Sequence, residues 1–254
     1  MKNPYAILYA DNDILVVNKK SGILATRDRY DESALHLDSL LENEFKTIFP
    51  VHRLDKETSG VMVFARNENA HRSLSLQFQN HAVEKNYHCI VYGAPSWNEK
   101  KITLPLSVDF DSKHRTIANK NGKPSETFFR VLGKAGSYSW LLAKPKTGRT
   151  HQIRAHLASE KIFIVCDTLY FENAKPIFLS EVKRKWRGNA NDESPLISRM
   201  ALHAFSISFL HPTKKERVTF SAPYEKDMKA FYNQCAKLFS LDFLDTINSR
   251  EKEN

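Results

Sequence analysis

Residues 51–65 read "VHRLDKETSGVMVFA". A loop crowded with polar residues runs into an unbroken apolar stretch, with Thr58, Ser59 and Gly60 making a tight entry between them. The apolar half is short and rich in Val and Phe, the pattern of a buried strand. Asp55 therefore falls on a loop at the edge of a rigid sheet, a place from which active residues often work. It stands among His52, Arg53 and Lys56, and an opposite charge in contact lowers a carboxyl pKa by about 1–3 units. Asp55 reads as an ionised carboxylate, fit for nucleophilic or electrostatic work. The plain alternative is a turn-capping aspartate.

Working outward, residues 14–17, 61–65, 87–92, 127–132, 138–144, 203–210 and 217–221 read as strands, being rich in Val, Ile, Phe and Tyr. Leu37, Leu40, Leu41 and Phe45 recur at helical spacing with Ser33 as the expected N-cap, and Ala70, Leu74 and Phe78 do so behind Asn67. Met228, Phe231, Tyr232, Cys235, Leu238 and Phe239 form a third stripe, on a helix expected over about 224–245. Strands outnumber helices without regular βαβ alternation, which predicts an α+β fold with a large mixed sheet and flanking helices. No repeat, linker or strong boundary is evident, so a single domain over 1–254 is expected, with the terminal "INSREKEN" frayed.

The 254 residues suffice for a substantial core, and 26% charged with 41% apolar residues suits a soluble globular chain. No apolar run is long enough to span a bilayer, and no signal peptide is read at the N-terminus. Cys89, Cys166 and Cys235 are too scattered for a disulfide framework or a CxxC metal pair, so the cytoplasm is the expected compartment. The excess of 38 Lys+Arg over 29 Asp+Glu, a net +9, points to a polyanionic partner. The basic residues cluster. No acid lies between Asp111 and Glu126 or between Trp140 and Ser159, and "KRKWR" at 183–187 adds a third basic block with an aromatic inside it.

Two further segments carry chemistry. In "KPKTGRTHQIRAHLA", 144–158, Gly148 allows a turn and Thr150 can cap a helix whose Ile153 and Leu157 share one face. A helix start flanked by Arg149 is suited to phosphate, whereas Lys144 and Lys146 read as solvated. His151 and His156 lack the spacing of the HExxH zinc motif, so no metal is expected. In "EKNYHCIVYG", 84–93, Tyr87 is either a sheet-face aromatic or, beside Lys85, a ring that stacks on a base while the lysine holds phosphate.

"HRLDKETSG", "KNYHCIVYG" and "KTGRTHQIRAHL", in that order, resemble the RluA-type pseudouridine synthases, which isomerise uridine in structured RNA. The early "DNDILVVNKKSGIL" and the late "RMALHAFSISFLHPTKKERVTFSAP" extend the resemblance over about 6–223. It implies a mainly antiparallel sheet with a central catalytic cleft. It also implies Asp55 as catalytic aspartate, Tyr87 as the tyrosine beneath the target base, and Arg154 as the basic partner of Asp55. Arg53 matches the arginine that displaces the target uridine, and Lys85, Arg149 and His151 would contact substrate. No cofactor is implied. RNA, either transfer or large-subunit ribosomal, is the expected partner, without membrane or metal, and a monomer is expected. The chain departs from the family pattern at Lys20, where proline is usual, and in "KIFIVCDTLYF", 161–171. A non-catalytic RNA-binding protein would be expected to lose Asp55, Tyr87 or Arg154, all present; a glycoside hydrolase usually needs two facing carboxylates.

Overall fold

The computed structural model of the protein describes residues 3–27, 35–183 and 185–243. In chain order the strands are β1 (Tyr5–Ala10), β2 (Ile14–Lys19), β3 (Phe49–Pro50), β4 (Ser59–Ala65), β5 (Glu84–Tyr92), β6 (Glu99–Thr103), β7 (Leu106–Ser107), β8 (Ile117–Ala118), β9 (Glu126–Ala135), β10 (Tyr138–Pro145), β11 (Leu202–Leu210) and β12 (Arg217–Ser221). The helices are α1 (Leu37–Phe45), α2 (Glu68–Gln79), α3 (Gln152–Ser159), α4 (Leu179–Val182) and α5 (Lys226–Phe239). The class is α+β with a large, mainly antiparallel sheet, as expected. All seven strand segments and the helical patterns behind α1, α2, α3 and α5 are borne out. Ser33 and the terminal "INSREKEN" lie outside the described residues.

The chain divides into two compact units: Met1–Tyr87, Lys144–His151 and Leu202–Tyr224 form the first, and His88–Ala143, Gln152–Ala201 and Glu225–Asn254 the second. Each is assembled from separated stretches, so no linker marks a boundary in the sequence.

In the first unit β2 pairs antiparallel with β1 and β4, and β11 with β12, while β4 and β11 run parallel. Every residue of β4 is buried. A strand covered on both faces needs no polar alternation, which is why "VMVFA" is continuously apolar. Its cover includes Leu37 and Leu41 of α1 and Ala70 and Leu74 of α2, and each fully buried leucine stabilises by about 1.5–3 kcal/mol. Asn67 caps α2 by accepting from the N–H of Ala70 at 2.8 Å, whereas α1 begins after His36 without a side-chain cap.

The β4–β11 junction is unusually close. Gly60 has φ +118°, and a Cβ there would lie 2.2 Å from the carbonyl oxygen of Ala204. Next to it, the Ser59 hydroxyl donates to Nδ1 of His203 at 2.9 Å, and Nε2–H of that ring donates to the Ala222 carbonyl at 3.0 Å. Both partners are fully buried, so every polar atom of this dyad is accounted for by structure.

In the second unit β9 pairs antiparallel with β6, and β7 with β8. Trp140 of β10 is fully buried, stacked on Phe231 at 6.1 Å and edge-on to Tyr232 at 5.8 Å, both from α5. The α5 stripe stops at Cys235: Leu238 and Phe239 are exposed, a correction to the longer stripe expected. Helix α3 also differs from expectation. It starts at Gln152, so Thr150 is not its cap, and residues Gln152–Leu157 are buried all round. Lys144 and Lys146 are exposed, as read. The three cysteines are free thiols, and among the described residues no helix is long and apolar enough to cross a membrane.

Replacing Gly60 by alanine should be severe. The left-handed backbone and the collision with Ala204 together should cost at least about 3 kcal/mol. Urea unfolding of the G60A protein that matched the native midpoint would show that β11 can retreat.

Candidate functional site

In the first unit Asp55 sits in a turn closed by its own carbonyl, which accepts from the N–H of Thr58 at 3.0 Å. Leu54 anchors the turn in the core at 4% exposure. The turn is held from below by a buried cation. Lys19, fully buried at the end of β2, donates from Nζ to the carbonyls of Lys20 (2.9 Å), Ile23 (2.8 Å) and Lys56 (3.0 Å). The N–H of Gly22 donates to the same Lys56 carbonyl at 2.9 Å, and the Ser21 hydroxyl to that of Glu57 at 2.8 Å. The loops "KKSG" and "DKET" are thereby laced together. An ammonium that meets an oxygen with each of its protons is far cheaper to bury than an unpaired one.

The Asp55 carboxylate stays 24% exposed, with Nε2 of His151 3.7 Å from its Oδ2. His151 adopts φ +51°, a left-handed conformation uncommon for a side-chain-bearing residue and often found where geometry serves function. The cations of the aspartate's own motif behave otherwise than expected. The His52 ring accepts the N–H of Val63 at 3.1 Å and stacks on Phe78 at 4.8 Å. Burial, helped by the nearby Lys85 charge, takes its pKa down to about 3, so this ring is neutral. Arg53 and Lys56 are exposed, and among the described residues their side chains hold no hydrogen bond or ion pair.

A small pocket in the same unit is lined by His52, Val61, Lys85, Tyr87 and Ser206. Tyr87 is half-buried on β5. Burial first, and the Asp55 carboxylate second, push its phenol far up, so it keeps its proton. Lys85 is half-buried rather than free in solvent, and its Nζ donates to the Thr147 carbonyl at 3.3 Å. Desolvation brings it down to about 8. That bond ties β5 to the segment bearing Arg149, itself half-buried, and His151.

Arg154 belongs to the second unit. Its guanidinium grips Asp167 with two parallel bonds, Nε–Oδ2 and Nη2–Oδ1, both 2.8 Å, and lies 4.9 Å from the centre of the Tyr170 ring. Both members of the pair are buried. A two-pronged contact of this kind fixes the plane of the guanidinium, which an ammonium could not do. Sequence reading missed Asp167 and Lys19. The first lies in "VCDTLYF", noted only as a departure from pattern, and nothing local distinguishes a buried lysine from a solvated one.

Asp11, Asp13 and His211 bring ligand-type atoms within 4.8 Å of one another. Those atoms are already engaged. Asp11 accepts from the N–H groups of Asp13 and Ile14 and from the Tyr9 hydroxyl. Nε2 of His211 meets Oδ2, the oxygen that the Tyr9 hydroxyl also reaches, at 2.9 Å, while Nδ1 accepts from the N–H groups of Thr213 and Lys214. The cluster fastens the β1–β2 turn to the loop after β11.

Residues 13–159 match the family model described as RNA pseudouridylate synthase. The ribosomal large subunit pseudouridine synthase C of Buchnera aphidicola subsp. Acyrthosiphon pisum is 32% identical over 236 residues, 89% of this chain and 69% of that protein. The tRNA pseudouridine synthase C of Haemophilus ducreyi is 32% identical over 246 residues, 90% of this chain and 94% of that one. Among solved structures, human RNA pseudouridylate synthase domain containing 1 superposes with a TM-score of 0.65 at 28% identity, covering 87% of this chain and 83% of its own.

Two outcomes test this anatomy. Lys19→Met leaves carbonyls of both loops without their donor, at about 1–3 kcal/mol each. It should lower stability by at least about 3 kcal/mol and speed hydrogen exchange at the amides of Gly22 and Thr58. The second concerns acid. Burial alone would raise the Asp11 carboxyl, but the Ile14, Asp13, Tyr9 and His211 bonds outweigh it and hold it at about 2, below its ordinary 3.8. A lowered folded value contributes stability that is complete above pH 4 and lost as pH falls toward 2, about 2 kcal/mol in all. Asp11→Asn should lower stability at pH 7 and flatten that acid limb in pH-dependent melts.

Proposed function

Because the chain belongs to the RNA pseudouridylate synthase family, in its RluA-type branch, and is by that membership an RNA uridine isomerase, we propose that Asp55, Tyr87 and Arg154 carry its reaction. The reaction breaks the bond from uracil nitrogen to ribose, turns the freed base and rejoins it through a ring carbon. No electrons are transferred to or from another molecule and no group is added, so the chemistry calls for no cofactor.

The carboxylate of Asp55 attacks the sugar or takes a proton from it. The observation that most favours this role is the pairing of Asp55 with Tyr87 in one unit: the carboxylate is close enough to raise the phenol, on a turn held by Lys19. A phenol that stays protonated can support the base with its ring and donate from its hydroxyl. Arg154 orients Asp55 in the proposed assembly, with its own plane set by Asp167.

The target base has to leave its stack, at a cost of a few kcal/mol. Arg53, exposed and uncommitted among the described residues, suits the displacing role. Arg149 and His151 would contact the substrate, and Lys85 would sit behind them. The substrate is a structured transfer RNA or large-subunit ribosomal RNA, the classes for which the two relatives above are named. The protein acts on it in the cytoplasm, as a monomer.

The test is single-turnover isomerisation on RNA from a strain lacking the protein, with RNA binding measured in parallel. Asp55→Asn should bind RNA normally and keep less than about a tenth of the native rate. Tyr87→Phe retains the aromatic face, so it too should bind normally while turning over far more slowly. An Asp55→Asn protein at the native rate would remove the aspartate from the chemistry, and binding without isomerisation in the native protein would make it an RNA-binding module.

A further inference from the structure

Between Phe171 and Arg199 the second unit carries a long excursion with little regular structure beyond α4. Its base is closed. Ile177 and Ile197, both fully buried, are bridged, the N–H of Ile177 donating to the Ile197 carbonyl at 2.8 Å and that of Leu196 to the Ile177 carbonyl at 2.7 Å. The excursion is therefore an anchored device.

The charges within it are divided unevenly. Every carboxylate has a partner. Glu172 pairs with Lys113, Glu181 with Lys175 and the Tyr138 hydroxyl, Asp192 with Asn189, and Glu193 accepts from both the N–H and the hydroxyl of Ser180. The described cations of the "KRKWR" block do not. Lys183, Lys185 and Arg187 are exposed, and among the described residues they hold no ion pair or side-chain hydrogen bond. Trp186 between them is not adrift: its backbone N–H donates to the Lys183 carbonyl at 3.0 Å, and its ring lies so close over Gly188 that a Cβ there would fall 2.3 Å from it. Acids neutralised by partners and cations left without them, around a half-buried aromatic, make a surface that repels itself until a polyanion covers it.

We propose that this block is an RNA-binding grip, separate from the group that does the chemistry, in which Lys183, Lys185 and Arg187 neutralise backbone phosphates and the Trp186 ring supports an unpaired base. The inference rests on the reading of the protein as an RNA uridine isomerase and adds what sets its affinity for the substrate. Three phosphate contacts release counterions, so each contributes about 0.7–0.9 to the slope of log affinity against log salt. A base stacked on an aromatic adds roughly 1–3 kcal/mol, about a five- to 150-fold gain in affinity.

The experiment is a salt titration of binding to RNA purified from a strain lacking the protein, using the full chain. The triple variant K183Q/K185Q/R187Q should bind at least tenfold more weakly near physiological salt, with the slope shallower by about 2–2.7 and KM rising in step. K183R/K185R keeps every charge and should retain the native slope and affinity. An unchanged slope in the glutamine variant would overturn the proposal, and so would an equal loss in the arginine variant, which would mark a structural defect. If the native protein isomerises no uridine, the enzymatic reading fails by itself, while the same titration still decides whether the block grips RNA.

Discussion

The first unit depends on how near two backbones come at one residue. β4 and β11 run parallel with Gly60 against Ala204, at a distance where even a methyl group would collide with the carbonyl. Only glycine tolerates both that approach and φ +118°. Ser59 then falls opposite His203 and spends its hydroxyl on the ring, which in turn spends its other nitrogen on Ala222. What reads as a turn sequence is a junction between strands far apart along the chain. The loop that precedes it, with Asp55, inherits its position from that contact.

Lys19 gives the same loop its second support. A charge with no access to water is retained because three carbonyl oxygens replace the water it loses. The cost is specificity of place: the ammonium stabilises only the arrangement in which both loops present their oxygens together. Such a mount suits the role proposed for the Asp55 carboxylate, which requires close placement against a reacting atom. The Arg154–Asp167 pair does the comparable work in the second unit, fixing a guanidinium plane by two bonds of equal length.

Much of this was legible beforehand. The strands came from apolar runs, α2 from Asn67 and its periodic partners, and α5 from a stripe that ended one turn early because Leu238 and Phe239 extend beyond the surface they were expected to cover. β1 was missed because only Tyr5 in it is buried, and an edge strand with one covered residue has little apolar pattern to show. β3, β7 and β8 are two residues each, too short for any period.

By itself, then, the amino-acid order determined the class of fold and the family, because the first follows from apolar periodicity and the second from the resemblance carried by contiguous motifs. Tertiary structure decided the environment of each group. His52 reads as a cation beside an aspartate, yet burial leaves it neutral and turned to a backbone amide. His151, one of several basic residues in its segment, comes to lie 3.7 Å from the Asp55 carboxylate. Lys19 and Lys20 are neighbours with the same side chain, and only the first is buried among carbonyls. Solvation and proximity are properties of the folded surroundings, set by residues distant in sequence, and no local pattern encodes them.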